Sequence, residues 1–204
     1  GRSSFRLEAI GPRPTSFFVD AAVKLRRVDG YVRHVKATVP PSRTAELAAV
    51  DQLAGRLFRH IEETRDELAR IHVHGAKSKS IQDHFQQLLC RDLGFKEEIV
   101  LTPQMGLVTQ ARPDFFYRMD DGRGIVAEVE RGGTITNNHD LKDLWKAHVA
   151  PDAHHLFLVV PWKNWREDGT PRERPFQTVA RRLGAFFGDP RREIDVLSAH
   201  VFAY

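Results

Sequence analysis

Residues 112–131 read RPDFFYRMDDGRGIVAEVER. At the centre, Asp120-Asp121-Gly122-Arg123-Gly124 is a turn by composition, because Asp and Gly supply the backbone freedom that a reversal needs. Residues 115–119 before it and 125–130 after it carry aromatic and β-branched side chains, which suit strands. The stretch is therefore a β-hairpin with three acids at its open end. Asp114 follows Pro113, and Glu128 and Glu130 lie on the return strand. With the turn centred near Asp121–Gly122, the numbers of facing residues sum to roughly 243 under simple antiparallel pairing. Asp114 then faces Val129. Alternation puts Glu128 and Glu130 on one face and Ala127 and Val129 on the other. A bulge or a one-residue shift would move Asp114 to the carboxylate face.

Working outward, strands are expected at residues 98–102 and 107–111. Ahead of them Ser80 opens a helix. Ser80 and Asp83 have capping-box spacing, Ile81, Phe85, Leu88 and Leu89 form a buried stripe, and Gly94 is the stop. A long helix over residues 43–71 carries Leu47, Val50, Leu53, Ala54, Leu57, Phe58 and Ile61 at helical spacing. Residues 17–39 form another hairpin around Asp29-Gly30, a pair suited to a tight turn. After the acids, a helix begins near Asn138, whose side chain can cap it. Leu141, Leu144, Trp145 and His148 give it one face. Residues 156–160 are uniformly apolar, as in a central strand covered on both sides. A polar loop at 163–174, a helix at 176–187 and a strand at 194–202 complete the chain. The order of helix, three strands, helix and strand specifies an α/β fold with a mixed central sheet flanked by helices. Residues 1–79 make an N-terminal hairpin and helix, and residues 80–204 make the core.

The single cysteine, Cys90, cannot form an internal disulfide and lies in an apolar run. That excludes a zinc site built from several cysteines and fits a reducing, cytoplasmic setting. No apolar run approaches the roughly 20 residues needed to span a bilayer, so no membrane partner is expected. The start, Gly1-Arg2-Ser3-Ser4, reads as a tag scar or a cut fragment without a signal peptide. A net charge of +4 permits a polyanionic partner. Lys24, Arg26, Arg27, Arg33 and Lys36 crowd an early segment, and Arg172, Arg174, Arg181, Arg182, Arg191 and Arg192 a late one. Each cluster suits either phosphate contact or a solvated face.

Three neighbouring acids repel one another, and a divalent cation relieves that cost. Hard oxygen ligands suit Mg²⁺, with Mn²⁺ as a substitute. Mg²⁺ held by carboxylates is a common device for phosphodiester hydrolysis. Lys142 and Lys146 share a face of the following helix, and Asn137, Asn138 and His139 sit at its anion-favouring N-terminus. His139, His148, His154 and His155 raise a zinc site, although their spacing matches no finger pattern. Trp145 reads as core, whereas Trp162 and Trp165 flank a strand end and can stack on bases.

Pro113-Asp114 before the hairpin, Glu128-Val129-Glu130 on the return strand and the element order over residues 80–161 resemble the PD-(D/E)xK nuclease superfamily, which includes many type II restriction endonucleases. The third motif position is usually Lys; here it is Glu130, as in a minority of restriction enzymes with Glu-x-Glu. The resemblance implies a restriction-endonuclease-like core in which Asp114 and Glu128 hold Mg²⁺ and Glu130 binds metal or takes the proton from water. Lys142, or else Lys146, would stand in for the missing Lys. Asp83, then Gln87, is the candidate for a further ligand from the first core helix. The implied activity is Mg²⁺-dependent cleavage of double-stranded DNA by a C₂ homodimer, a type II restriction enzyme being one form of it. Nucleic-acid contacts would fall at Arg131, Asn138 and Lys146, and in the N-terminal hairpin at Lys24, Arg26 and Arg33. The alternative is a nucleic-acid-binding or partner-binding module on the same fold without cleavage.

Overall fold

Asp29-Gly30 reverses the chain between β1 (Arg27–Val28) and β2 (Tyr31–Val35), with Gly30 at φ 92, a conformation that favours glycine. The computed structural model describes residues 27–101, 112–119 and 122–204. Lys24, Arg26 and the strand expected at 107–111 lie outside the described residues. β2 pairs antiparallel with the last strand of the chain, so the hairpin is part of the central sheet.

The helix expected over 43–71 is divided. α1 (Thr44–Glu63) buries Val50, Ala54, Leu57 and Ile61, and α2 (Arg65–Ile71) buries Leu68. Thr64 separates them at φ −107 while its hydroxyl donates to the His60 carbonyl at 2.7 Å. This bond back to residue i−4 is a known source of helix bending. α3 (Ser78–Gln86) begins two residues earlier than the Ser80 start, and the expected capping box gives way to Lys77 as N-cap, without a side-chain cap bond. A π-helical stretch, Gln87–Asp92, continues it. β3 (Lys96–Glu97) lies ahead of the strand expected at 98–102; Glu98 turns to φ 43 and leaves the extended region, and Thr102 lies outside the described residues.

β4 (Phe115–Arg118) and β5 (Gly124–Val129) form the hairpin of the acids. Next come α4 (His139–Val149), β6 (His155–Val160), a small two-stranded sheet of β7 (Asn164–Trp165) and β8 (Pro171–Glu173), α5 (Pro175–Phe187) and β9 (Ser198–Ala203). The main sheet is seven-stranded in the order β1-β2-β9-β6-β5-β4-β3. β5, β6 and β9 run parallel, and the remaining pairs are antiparallel. This is the expected α/β arrangement of a mixed sheet flanked by helices. One face, with Ile125, Ala127, Phe157, Val159 and Phe202, packs under α1, α2 and α3. The other, with Phe116, Val126, Leu156, Leu158 and Val201, packs under α4 and α5. All six residues of β6 are buried, as a strand covered on both sides requires. No helix among the described residues is long and apolar enough to cross a membrane.

A buried polar chain runs through the α1 face. Tyr31 Oη lies 2.7 Å from His200 Nδ1, and His200 Nε2 lies 3.1 Å from Ser198 Oγ. Ser198 Oγ is 2.7 Å from His155 Nδ1, and His155 Nε2 is 2.8 Å from Glu46 Oε1. Arg123 also donates to Glu46 Oε1, at 2.8 Å. Burial opposes ionisation of Glu46, but the bonds from Arg123 and His155 outweigh it and hold the carboxyl below its ordinary value.

Candidate active site

The β4–β5 register pairs Phe115 with Ala127 and Phe116 with Val126. That is one residue away from the pairing expected from the turn, and it carries Asp114 to the face of Glu128. The Asp114 N–H donates to Glu128 Oε2 at 3.1 Å, and the Val129 N–H donates to Asp114 Oδ2 at 3.0 Å. Glu128 shares the α4 face with Val126, and Glu130 follows two residues on. The acids therefore sit at the carboxyl end of a parallel strand, where open α/β sheets bind ligands.

α4 completes the cluster. Its buried residues are Asp140, Asp143, Leu144 and Ala147, so the inward face is rotated from the one expected. Trp145 is 52 % exposed and not in the core, whereas Lys146 turns inward to the acids. The end of the sheet offers carboxylates, and the Lys146 ammonium can neutralise their charge where an indole N–H cannot. The Lys146 ammonium donates to Glu128 Oε1 and, at 3.2 Å, to Asp143 Oδ1. His139 Nδ1 lies 2.8 Å from Glu130 Oε2.

Four carboxylates, those of Asp114, Glu128, Glu130 and Asp143, are thus set against Lys146 and His139. Burial raises all four above their ordinary values. Glu128, only 4 % exposed, is pushed up to about 9 by burial and then by the charge of Asp143. Asp143 rises to about 7 through burial, with Glu130 and Asp114 adding to the shift against the pull of Lys146. Burial works against the charge on Lys146, and Glu128 and Asp143 outweigh it. A carboxyl kept protonated and an ammonium held up by that same carboxylate are incompatible as an isolated pair at neutral pH. Several buried carboxylates share the one ammonium of Lys146, so the acids are held above their ordinary values. Asp143 Oδ2 is buried with no hydrogen-bond partner among the described residues, a position that calls for a ligand.

Among the described residues, no group of three or more His, Cys, Asp or Glu side chains is already disposed to hold a metal ion. The donor chemistry nevertheless suits a hard divalent cation. The cluster is rich in carboxylate oxygens, one of them orphaned, and a bound cation would take the place of the protons that burial favours there. Asp114, Glu128, Glu130 and Asp143 are the residues that could hold one.

The other candidates land elsewhere. Lys142 is exposed and is bonded to no acid of the cluster among the described residues; Lys146, four residues on, has that place. Asp83 is exposed and paired with Lys79 at 3.1 Å, on a helix that packs against the opposite face of the sheet, as does the π-helical turn bearing Gln87. Asn138 adopts a left-handed conformation at φ 53 without a side-chain cap bond, and its Oδ1 accepts from Arg182 at 3.2 Å. Arg131 donates to the Val73 carbonyl at 3.0 Å, and Arg33 is paired with Asp51 at 2.6 Å. The histidines considered for zinc are dispersed. His139 is with Glu130, His148 accepts from the Asp195 N–H, His154 from the Gly124 N–H, and His155 belongs to the polar chain. No motif marks Asp143 in the sequence; its signal is the i, i+3 spacing to Lys146 beside the small Ala147.

Comparison with protein-family models, curated proteins and solved structures gives no match to this chain.

Proposed function

We propose that the chain is a divalent-cation-dependent endonuclease that hydrolyses DNA phosphodiesters, with Mg²⁺ as the ion and Mn²⁺ as a substitute. One observation carries this reading: Asp114, Glu128, Glu130 and Asp143 converge with Lys146 at the carboxyl end of β5. The order α3, β3, β4, β5, α4, β6 supports it, being the helix–strand order of the PD-(D/E)xK core that the motif residues resemble.

Asp114 and Glu128 would hold the ion, with Asp143 supplying a further oxygen. The ion, when bound, polarises the phosphoryl group and acidifies the attacking water. Lys146 neutralises charge developing on the phosphoryl oxygens, the work of the motif lysine that Glu130 replaces. Glu130 fixes His139 through Nδ1 and leaves Nε2 to accept the proton from water. Cutting both strands of a symmetric sequence, as a type II restriction enzyme does, would use two copies related by a two-fold axis.

The test is cleavage of supercoiled plasmid with Mg²⁺ and with EDTA. Asp114→Ala, Glu128→Gln and Lys146→Ala are each expected to lose roughly 10²- to 10³-fold in rate, and Lys142→Ala to stay near wild type. Cleavage that persists in Asp114→Ala and Glu128→Gln removes the proposed site. Tight plasmid binding without cleavage by the wild-type chain favours the binding-module alternative.

A further inference from the structure

Beside the acids the chain builds a groove with chemistry of its own. Two adjoining cavities, of about 1050 Å³ and about 400 Å³, open next to the carboxyl ends of β6 and β9. His72, Val73, His74 and Trp165 line both, so the two form one trough. The larger part is walled by Trp162, Trp165 and Tyr204 together with Arg65, Lys163 and Arg166. The smaller part reaches Arg131 and Gly132, which directly follow Glu130. The Tyr204 hydroxyl donates to the Glu130 carbonyl at 2.9 Å, tying the wall of the groove to the strand of the acids.

The lining is cationic and aromatic at once. Arg65, Arg131, Lys163, Arg166 and Arg172 are set against two acids, Glu167 and Glu173; Glu173 is engaged by Asn164 at 2.7 Å, and Arg65 is paired with Glu62 at 2.5 Å. Lys163 Nζ lies over the Trp165 ring, 5.8 Å from its centre, so a cation and an aromatic ring are held together in the wall of the trough. Flat bases stack on such rings while cations track the phosphates, and this works without regard to sequence. Size narrows the occupant. Cavities of about 300–1000 Å³ enclose one ligand of drug size, and this trough exceeds that range, as an extended occupant requires. A duplex keeps its bases stacked within the helix and offers no free base face to Trp165.

We infer that this groove holds an unpaired stretch of a nucleic-acid strand, stacked on Trp165 and led past Arg131 to the acids. Only the destination of the strand rests on the phosphodiester reading; binding in the groove requires no cleavage.

Fluorescence anisotropy tests it, using a fluorescein-labelled oligothymidine of about ten nucleotides and a blunt hairpin duplex, both in EDTA. The oligothymidine is expected to bind more tightly than the duplex. Trp165→Ala should weaken it roughly 5- to 100-fold, while Trp165→Phe retains most of the affinity. Lys163→Gln should lower the dependence on salt by about one released counterion. Preference for the duplex overturns the inference, as does unchanged oligothymidine binding by Trp165→Ala. If Trp165→Ala fails to fold, Trp165→Phe and Lys163→Gln carry the test, and wild-type affinity and salt dependence in Lys163→Gln then count against it. A chain that binds oligothymidine through Trp165 but cuts nothing upholds the groove and sinks the nuclease; one that cuts plasmid while Trp165 is irrelevant to binding does the opposite.

Discussion

Glu128 joins folding to charge. Its carboxyl rises from an ordinary 4.5 to about 9, so the folded chain holds a proton there that the unfolded chain has released. Stability from this group is complete below about 4.5 and is lost as pH rises through about 9. In EDTA the Tm of the wild-type chain should fall more steeply over that range than that of Glu128→Gln, and Mg²⁺ at the alkaline end should raise the wild-type value more than the variant's. Thermal unfolding across pH, followed by circular dichroism, checks this; parallel curves would refute it. Asp114, Glu128 and Glu130 were legible in the sequence because a Pro-Asp and a Glu-x-Glu flank one turn. Asp143 was not, and Lys142 could not be told from Lys146. Which helical residues reach a sheet depends on the rotation of the helix, and here Lys146 turns inward against the apolar pattern.

At the level of elements, the apolar run of β6 and the periodicity of α1 were readable directly, since burial on two faces or on one stripe leaves its own signature. The register of β4 on β5 was not, because it follows the turn geometry and slips by one residue without altering composition. The break at Thr64 was hidden for a similar reason: a hydroxyl bond to the preceding turn leaves the hydrophobic spacing intact. Gly124, the first residue of β5, is held by close packing. A Cβ there would lie 2.1 Å from Phe116 Cζ and 2.8 Å from the Asp152 carbonyl oxygen. Phe116 is buried and the carbonyl is backbone, so neither yields easily. Gly124→Ala should cost about 1–3 kcal/mol, visible as a lower urea midpoint with an unchanged m-value.

For the whole molecule, order in the chain gave the α/β architecture, while the joining of the first hairpin to the last strand did not show in any local pattern. If two copies act on a symmetric duplex, sedimentation should show a dimer and limiting enzyme should give linear plasmid; a monomer that only nicks would set the two-fold arrangement aside. The buried polar chain has a different bearing. Its donors all run one way, from the Tyr31 hydroxyl through His200, Ser198 and His155 to the Glu46 carboxylate, provided both imidazoles are neutral and protonated at Nε2. Burial favours that state, drawing His155 down to about 4 and His200 well below its ordinary value. Nitrogen-15 NMR should find the Nε2–H tautomer at both, and Ser198→Ala should cost about 1–3 kcal/mol by orphaning a donor and an acceptor together. β6 and β9 are buried on both sides, so burial alone cannot tell one alignment of them from the next. Sliding β9 by a single step would set Ala199 and Val201 against the imidazole of His155 and the phenol of Tyr31, and the row of matched protons would then act as a combination that only one alignment opens.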